Sequence, residues 1–248
     1  MRHIEFLGVP GSGKTTVAAA VVSATEGAVT LEDAVRSAVA DRGRDTTSKT
    51  VARFSRSSSS RLWKGVYARS TERFDALGRF LTTHPRVMET VLAAQRERKD
   101  RDRGQELVLG WVLNLMARFQ LATEIDHYPI VVIDEGFCQR AVALFGYGFS
   151  PADEPLLGEY LAAMPLPDIV VLVETPLATC AERLDRRGWS ERVAGLSPDV
   201  RRGFLETSSA LVNTVFDRVE TLGVASIRVD GTEPAKVGAK ALIDLLRS

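Results

Sequence analysis

The chain has 248 residues, of which 45% are hydrophobic and 26% charged, and its net charge at pH 7 is zero. That balance excludes an intrinsically disordered chain and fits one domain with an elaboration. Two cysteines, Cys138 and Cys180, are too few for a disulfide framework or a zinc cage. No apolar run reaches the roughly 20 residues of a membrane span, so the expected setting is the reducing cytoplasm, away from membranes.

Arg2 to Leu7 is a short apolar run that leads into glycines and reads as a buried strand rather than a signal peptide. Gly8-Val9-Pro10-Gly11-Ser12-Gly13-Lys14-Thr15 then fits G-x-x-x-x-G-K-[ST] at every fixed position. The Ala- and Val-rich stretch Thr15 to Ser23 reads as the helix that follows. Each residue type in the loop has a physical task. The glycines let the backbone curl so that its N–H groups point at phosphate oxygens, and the helix adds its positive end. Lys14 can reach the β- and γ-phosphates and is expected to face solvent, while the Thr15 hydroxyl can ligate Mg²⁺. The expected nucleotide site is Gly8, Pro10, Gly11, Ser12, Gly13, Lys14, Thr15 and Thr16.

Ala28 to Leu31 is the second expected strand and ends at Glu32 and Asp33. Carboxylates there lie across from the phosphate loop, where one can accept a hydroxyl proton or bond a sugar or base; the alternative is that they cap the next helix.

Between Asp41 and Asp126 no strand is expected. Ser55 to Ser60 reads as a flexible loop. Leu62 to Leu81 and Val87 to Lys99 read as helices separated by Pro85, and Leu107 to Ile125 as a strongly buried helix. From Arg42 to Arg103 there are 16 Lys and Arg against 7 Asp and Glu, a local charge of +9. Such asymmetry points to an anionic ligand, or else to helices with solvated arginine-rich faces. The expected insertion covers about 42–126 and packs beside the ligand edge of the sheet.

Ile130 to Ile133 and Ile169 to Val173 are β-branched runs of the kind found in buried parallel strands, and Ser226 to Val229 is a weaker fifth. The alternation predicts an α/β fold with a doubly wound, five-stranded parallel sheet and helices on both faces. The third strand leads into Asp134-Glu135. Asp134 is placed to hold Mg²⁺ and Glu135 to meet the acceptor, unless Asp134 merely caps a helix. After the fourth strand, Arg183, Arg186 and Arg187 share one helical face before Gly188. They are expected to be exposed and mobile, in a lid over about 180–198, with Arg183 or Arg187 meeting the transferring phosphate.

Taken together, these residues resemble the P-loop nucleoside and nucleotide kinase group, with thymidylate and deoxynucleoside kinases nearest in pattern. The resemblance spans 1–33, 129–147 and 165–248 of a single kinase-like domain. It implies that Glu32 acts on the acceptor hydroxyl, and that Asp134-Glu135-Gly136 takes the place of an acidic-Arg motif, with Arg140 standing in for the missing arginine. It also implies that Asp230-Gly231-Thr232 lines the adenine pocket. The implied cofactors are ATP and Mg²⁺, and the implied acceptor is a nucleoside, a nucleotide or another anionic metabolite; a homodimer is left open. The alternatives are a nucleotide-hydrolysing switch or accessory ATPase, and a kinase of nucleic-acid ends. Against them stand the lack of an Asn-Lys-x-Asp guanine motif, which also favours ATP over GTP, and the overall neutrality.

Overall fold

The computed structural model describes residues 1–45, 67, 70–97, 103–125, 127–146 and 149–247. Five strands, β1 (Arg2–Leu7), β2 (Ala28–Thr30), β3 (Ile130–Ile133), β4 (Ile169–Glu174) and β5 (Ala225–Asp230), form one sheet in the order β2-β3-β1-β4-β5. Every pairing is parallel; Ile4 lies beside Val132 on one side and Ile169 on the other. All five expected strands are present, although Leu31 opens a helix instead of closing β2.

Side-chain alternation along the strands divides the core in two. Leu7, Val131, Ile133, Val170 and Leu172 face the larger half. That half is shared with α2 (Leu31–Asp45), α6 (Phe137–Phe145), α7 (Glu154–Ala163) and α10 (Pro198–Thr221), numbered in chain order. Ile4, Phe6, Ile130, Val132 and Val171 face the smaller half, closed by α1 (Lys14–Ala24) and α12 (Lys240–Arg247). Because both faces are covered, β3 and β4 as far as Val173 are apolar throughout rather than alternating. The edge strand β5 is largely exposed, and Arg228 on it pairs with Glu174 at 2.8 Å, a charged edge that discourages further strand pairing.

No strand interrupts the described part of the middle region. It contributes α3 (Thr71–Thr83), α4 (Pro85–Glu97) and α5 (Arg103–Thr123), with Pro85 at the start of α4 as its missing N–H permits. Phe80, Val87, Val91, Val112 and Met116 are buried in the same core as the sheet, so these helices share the sheet's core. Part of the basic charge here serves packing, since Arg42 and Arg79 converge on Glu124. The expected Ser55–Ser60 loop, and most of the expected 62–81 helix before Ser70, lie outside the described residues. Among the described residues no helix is long and apolar enough to cross a membrane.

Candidate phosphoryl-transfer site

The order 2-3-1-4-5 places the carboxyl ends of all five strands along one edge, where the strand order reverses at β1. The phosphate loop follows β1 at that edge, with Glu32 after β2, Asp134-Glu135 after β3 and Gly231 after β5. Gly11 and Gly13 take φ of +86° and +100°, values that side chains strain to reach, and a Cβ on Gly11 would lie 2.6 Å from the Cys180 carbonyl. Gly13 caps α1 without a side-chain hydrogen bond, so the first N–H groups of the helix have no side-chain acceptor. Pro10, Gly11, Gly13, Lys14, Thr15 and Thr16 line a cleft of about 510 Å³.

Two expected positions are corrected. Lys14 does not face solvent: it is 8% exposed, and its ammonium donates to the carbonyls of Gly8 (2.8 Å) and Val9 (3.1 Å). Burial pulls its pKa down from 10.5 to about 8, with the field of Arg187 acting in the same direction and those of Glu135 and Asp134 opposing it. Arg183 is not a mobile exposed arginine either. It is half-buried and donates to the carbonyls of Gly11, Ser12 and Gly231 at 3.2, 3.2 and 3.0 Å. The stem of α8 (Leu177–Arg187) lies against the loop at Gly11, so a residue at position 183 meets carbonyls before it meets solvent. Arg187, one turn further on, is exposed and lines the cleft, whereas Arg186 turns back toward the Glu182 carbonyl of its own helix.

The Thr15 hydroxyl donates to Asp134 at 3.0 Å, across 119 residues of chain. A hydroxyl and a carboxylate side by side, next to a phosphate loop, suit a hard cation such as Mg²⁺. Among the described residues no group of three or more His, Cys, Asp or Glu could hold a metal. Glu135 pairs with Arg140 at 2.9 Å, and the Arg140 guanidinium lies over Trp111, 5.4 Å from its ring centre. Glu32 is half-buried, accepts from Arg36 at 2.8 Å and lines a second cavity of about 330 Å³ that also reaches Thr15, Asp134, Glu135 and Arg140.

Asp33 is not brought to the site. It is exposed, its carboxylate accepts from the Thr30 hydroxyl at 2.7 Å, and its own N–H donates to that hydroxyl oxygen at 3.1 Å, a reciprocal cap at the start of α2. Asp230 is held by the N–H and hydroxyl of Thr232 (2.8 and 2.6 Å), which lower its pKa, and it lines a separate cavity with Val9, Thr175 and Arg228. Arg183 joins that loop to the phosphate loop through the Gly231 carbonyl.

Several contributors carry no sequence motif. Gln139, 8% exposed, accepts from the Gly8 N–H at 3.1 Å and ties the phosphate loop to α6. Glu5 is fully buried in β1 and accepts from the N–H groups of Phe137 and Cys138 (2.9 and 2.8 Å), a carboxylate cap on α6 supplied from another element. A carboxylate among Ile4, Phe6 and Leu7 in a buried strand is the one signal that could have found it. Gly136 must be glycine here, since a Cβ would overlap the Glu5 carboxylate. Gly136→Ala is therefore expected to cost about 3 kcal/mol or more, through loss of both cap bonds around a buried charge. Chemical denaturation checks this, and an unchanged midpoint would refute it.

No protein-family model matches the chain, and a search of curated proteins finds no match. Solved structures do resemble it. Deoxyadenosine kinase from M. mycoides with bound dATP is 14% identical with a TM-score of 0.53, covering 100% of both chains. Deoxyadenosine kinase from M. mycoides with bound dCTP is 13% identical with a TM-score of 0.51, covering 99% of this chain and 98% of that one. The likeness is one of fold: the chain has the P-loop deoxynucleoside kinase fold, with a five-stranded parallel sheet and helices around it.

Proposed function

We propose that the protein is a cytoplasmic, ATP-dependent kinase that transfers the γ-phosphoryl group to a small acceptor of the nucleoside or nucleotide class. The observation that carries this reading is the contact between the Thr15 hydroxyl and Asp134 beside the phosphate loop, with Glu32 facing the same space from the neighbouring strand end. The nucleotides bound by the deoxyadenosine kinases of like fold support it.

In this reading the loop N–H groups and the start of α1 hold the donor phosphates, and Lys14 moves from its carbonyls to the β- and γ-oxygens. Thr15 and Asp134 would hold Mg²⁺, which would offset phosphate charge. Glu32 takes the proton of an acceptor hydroxyl as its oxygen bonds to the γ-phosphorus and the bond to the β-phosphate oxygen breaks. Arg187 offsets the charge on the transferring group, and Trp189, Val193 and Phe204 close the far side of the cleft against water.

ADP release from ATP and Mg²⁺ is the test, measured with nucleosides, nucleoside monophosphates and no acceptor. Acceptor-dependent turnover supports the reading; equal hydrolysis without acceptor overturns it in favour of an ATPase. Asp134→Asn is expected to lower Mg²⁺-dependent turnover on the order of 10²-fold while changing metal-free nucleotide binding little. Normal turnover across a Mg²⁺ titration would make Asp134 a structural partner of Thr15 only.

A further inference from the structure

The second cavity holds more charge than phosphoryl transfer needs. Its wall on α5 presents Trp111, Asn114, Leu115 and Arg118, opposite α1 and the ends of β2 and β3. Most charged groups around it are already engaged. Glu32 is paired with Arg36, Glu135 with Arg140, and Asp134 accepts the Thr15 hydroxyl. Arg118 differs. It is half-buried and forms no hydrogen bond or ion pair with any described residue.

A guanidinium removed from water without a partner is costly, and burial lowers the Arg118 pKa although Tyr67, Glu32 and Asp134 act to raise it. The location sets it on the side away from the phosphate loop. Arg118 lines the cavity of Glu32, Ala18, Ala19 and Val22, which meets the cleft of Pro10, Gly11, Lys14 and Arg187 at Thr15, Trp111, Glu135 and Arg140. A negative group entering beside Glu32 and Asp134 would be repelled by both unless a cation faced it from α5.

We propose that Arg118 is the acceptor-recognition cation of this site and that the acceptor is a phosphate monoester, held by its phosphate at the α5 wall. This rests on the kinase reading above and narrows its acceptor class. Arg118 replaces neither Lys14 nor Arg187, because it meets the acceptor's own charge and not that of the transferring group. The planar fork of guanidinium donors matches phosphate oxygens bidentately. The cavity, at about 330 Å³, is of the size that holds a small metabolite.

The test compares Arg118→Gln and Arg118→Lys with the parental protein, using thermal shift and ADP release. The probes are dAMP and dCMP, the matching nucleosides, and ribose 5-phosphate. In the parental protein the monophosphates should stabilise more than the nucleosides. In Arg118→Gln the KM for monophosphates should rise on the order of 10- to 100-fold, well beyond any change for nucleosides, with part of the loss restored in Arg118→Lys. Ribose 5-phosphate, if it shifts the parental protein as strongly as dAMP does, identifies a sugar phosphate as the source of the same chemistry. The proposal is overturned if nucleosides stabilise the parental protein as well as their monophosphates do. It is equally overturned if Arg118→Gln lowers kcat alike for both classes, which would place the guanidinium on the transferring phosphoryl. The thermal-shift comparison needs no turnover, so it decides the role of Arg118 even where ADP release overturns the kinase reading. Should Arg118→Gln not fold, nucleosides that stabilise the parental protein as well as their monophosphates do still overturn the proposal, and a smaller rise in the monophosphate KM of Arg118→Lys still supports it.

Discussion

Lys14→Met is expected to reduce phosphoryl transfer on the order of 10³-fold and, at the same time, to raise the melting temperature of the ligand-free protein. The activity loss follows from removing the one ammonium of the phosphate loop. The stability gain follows from its surroundings. Lys14 is nearly fully buried, and its pKa falls from 10.5 to about 8, chiefly through desolvation. Its charged form is therefore less comfortable folded than unfolded, by roughly 3 kcal/mol. Methionine keeps the aliphatic stem and removes that penalty, at the cost of the two bonds to the carbonyls of Gly8 and Val9. The net gain should be about 3–6 °C at pH 7.

The sign of the pH dependence is a second readout. Between pH 8 and 10.5 the unfolded chain binds more protons at Lys14 than the folded one, so the parental protein gains stability as pH rises through that window. The advantage of Lys14→Met should thus be largest below pH 8 and shrink toward pH 10. Melting curves at pH 7, 8.5 and 9.5 check it. A variant destabilised at pH 7 would show that the two carbonyl bonds outweigh desolvation.

The arginines of α8 should separate by role, not by proximity in sequence. Arg187→Ala is expected to lower kcat on the order of 10³-fold, with a smaller rise in the KM for ATP, because the charge it meets is greatest in the transition state. Its position in the cleft and its field on Lys14 place it where phosphates are held in the proposed reaction. Arg183→Ala should behave differently. It removes bonds to three carbonyls that join α8, the phosphate loop and the loop after β5, so it should cost roughly 2 kcal/mol of stability and raise the KM for ATP. Arg186→Ala, exposed and turned back on its own helix, should change little. Steady-state kinetics and melting curves on the three variants check the assignment. Near-parental kcat for Arg187→Ala would reduce it to a solvated cation and weaken the kinase reading itself.

Most of the sheet was legible because each strand is written in a short stretch of chain. Ile130 to Ile133 and Ile169 to Glu174 are β-branched runs that lie as buried parallel strands, and the spacing Gly8 to Thr15 sets the loop by its own glycines. The sequence puts Thr15 and Asp134 forward separately, and their contact has a related reason. Both residues follow central strands, and parallel topology brings their ends to one edge. Asp33 misled for a local reason as well: Thr30 and Asp33 satisfy each other's caps, a four-residue pattern that looks the same whether or not a ligand is near.

What the amino-acid order determined by itself, then, is whatever depends on neighbours in sequence: strand periods, the phosphate loop, and a carboxylate at the end of a strand. The sign of Lys14's environment, the fastening of Arg183 and the position of the Arg118 guanidinium, unpaired among the described residues, were decided only by tertiary packing. Arg183 and its acceptors are up to 172 residues apart, and Glu5 caps a helix more than 130 residues away. Charge, solvation and hydrogen bonding at such groups depend on what the folded chain places within a few ångströms of them, and no period or spacing along the sequence encodes that.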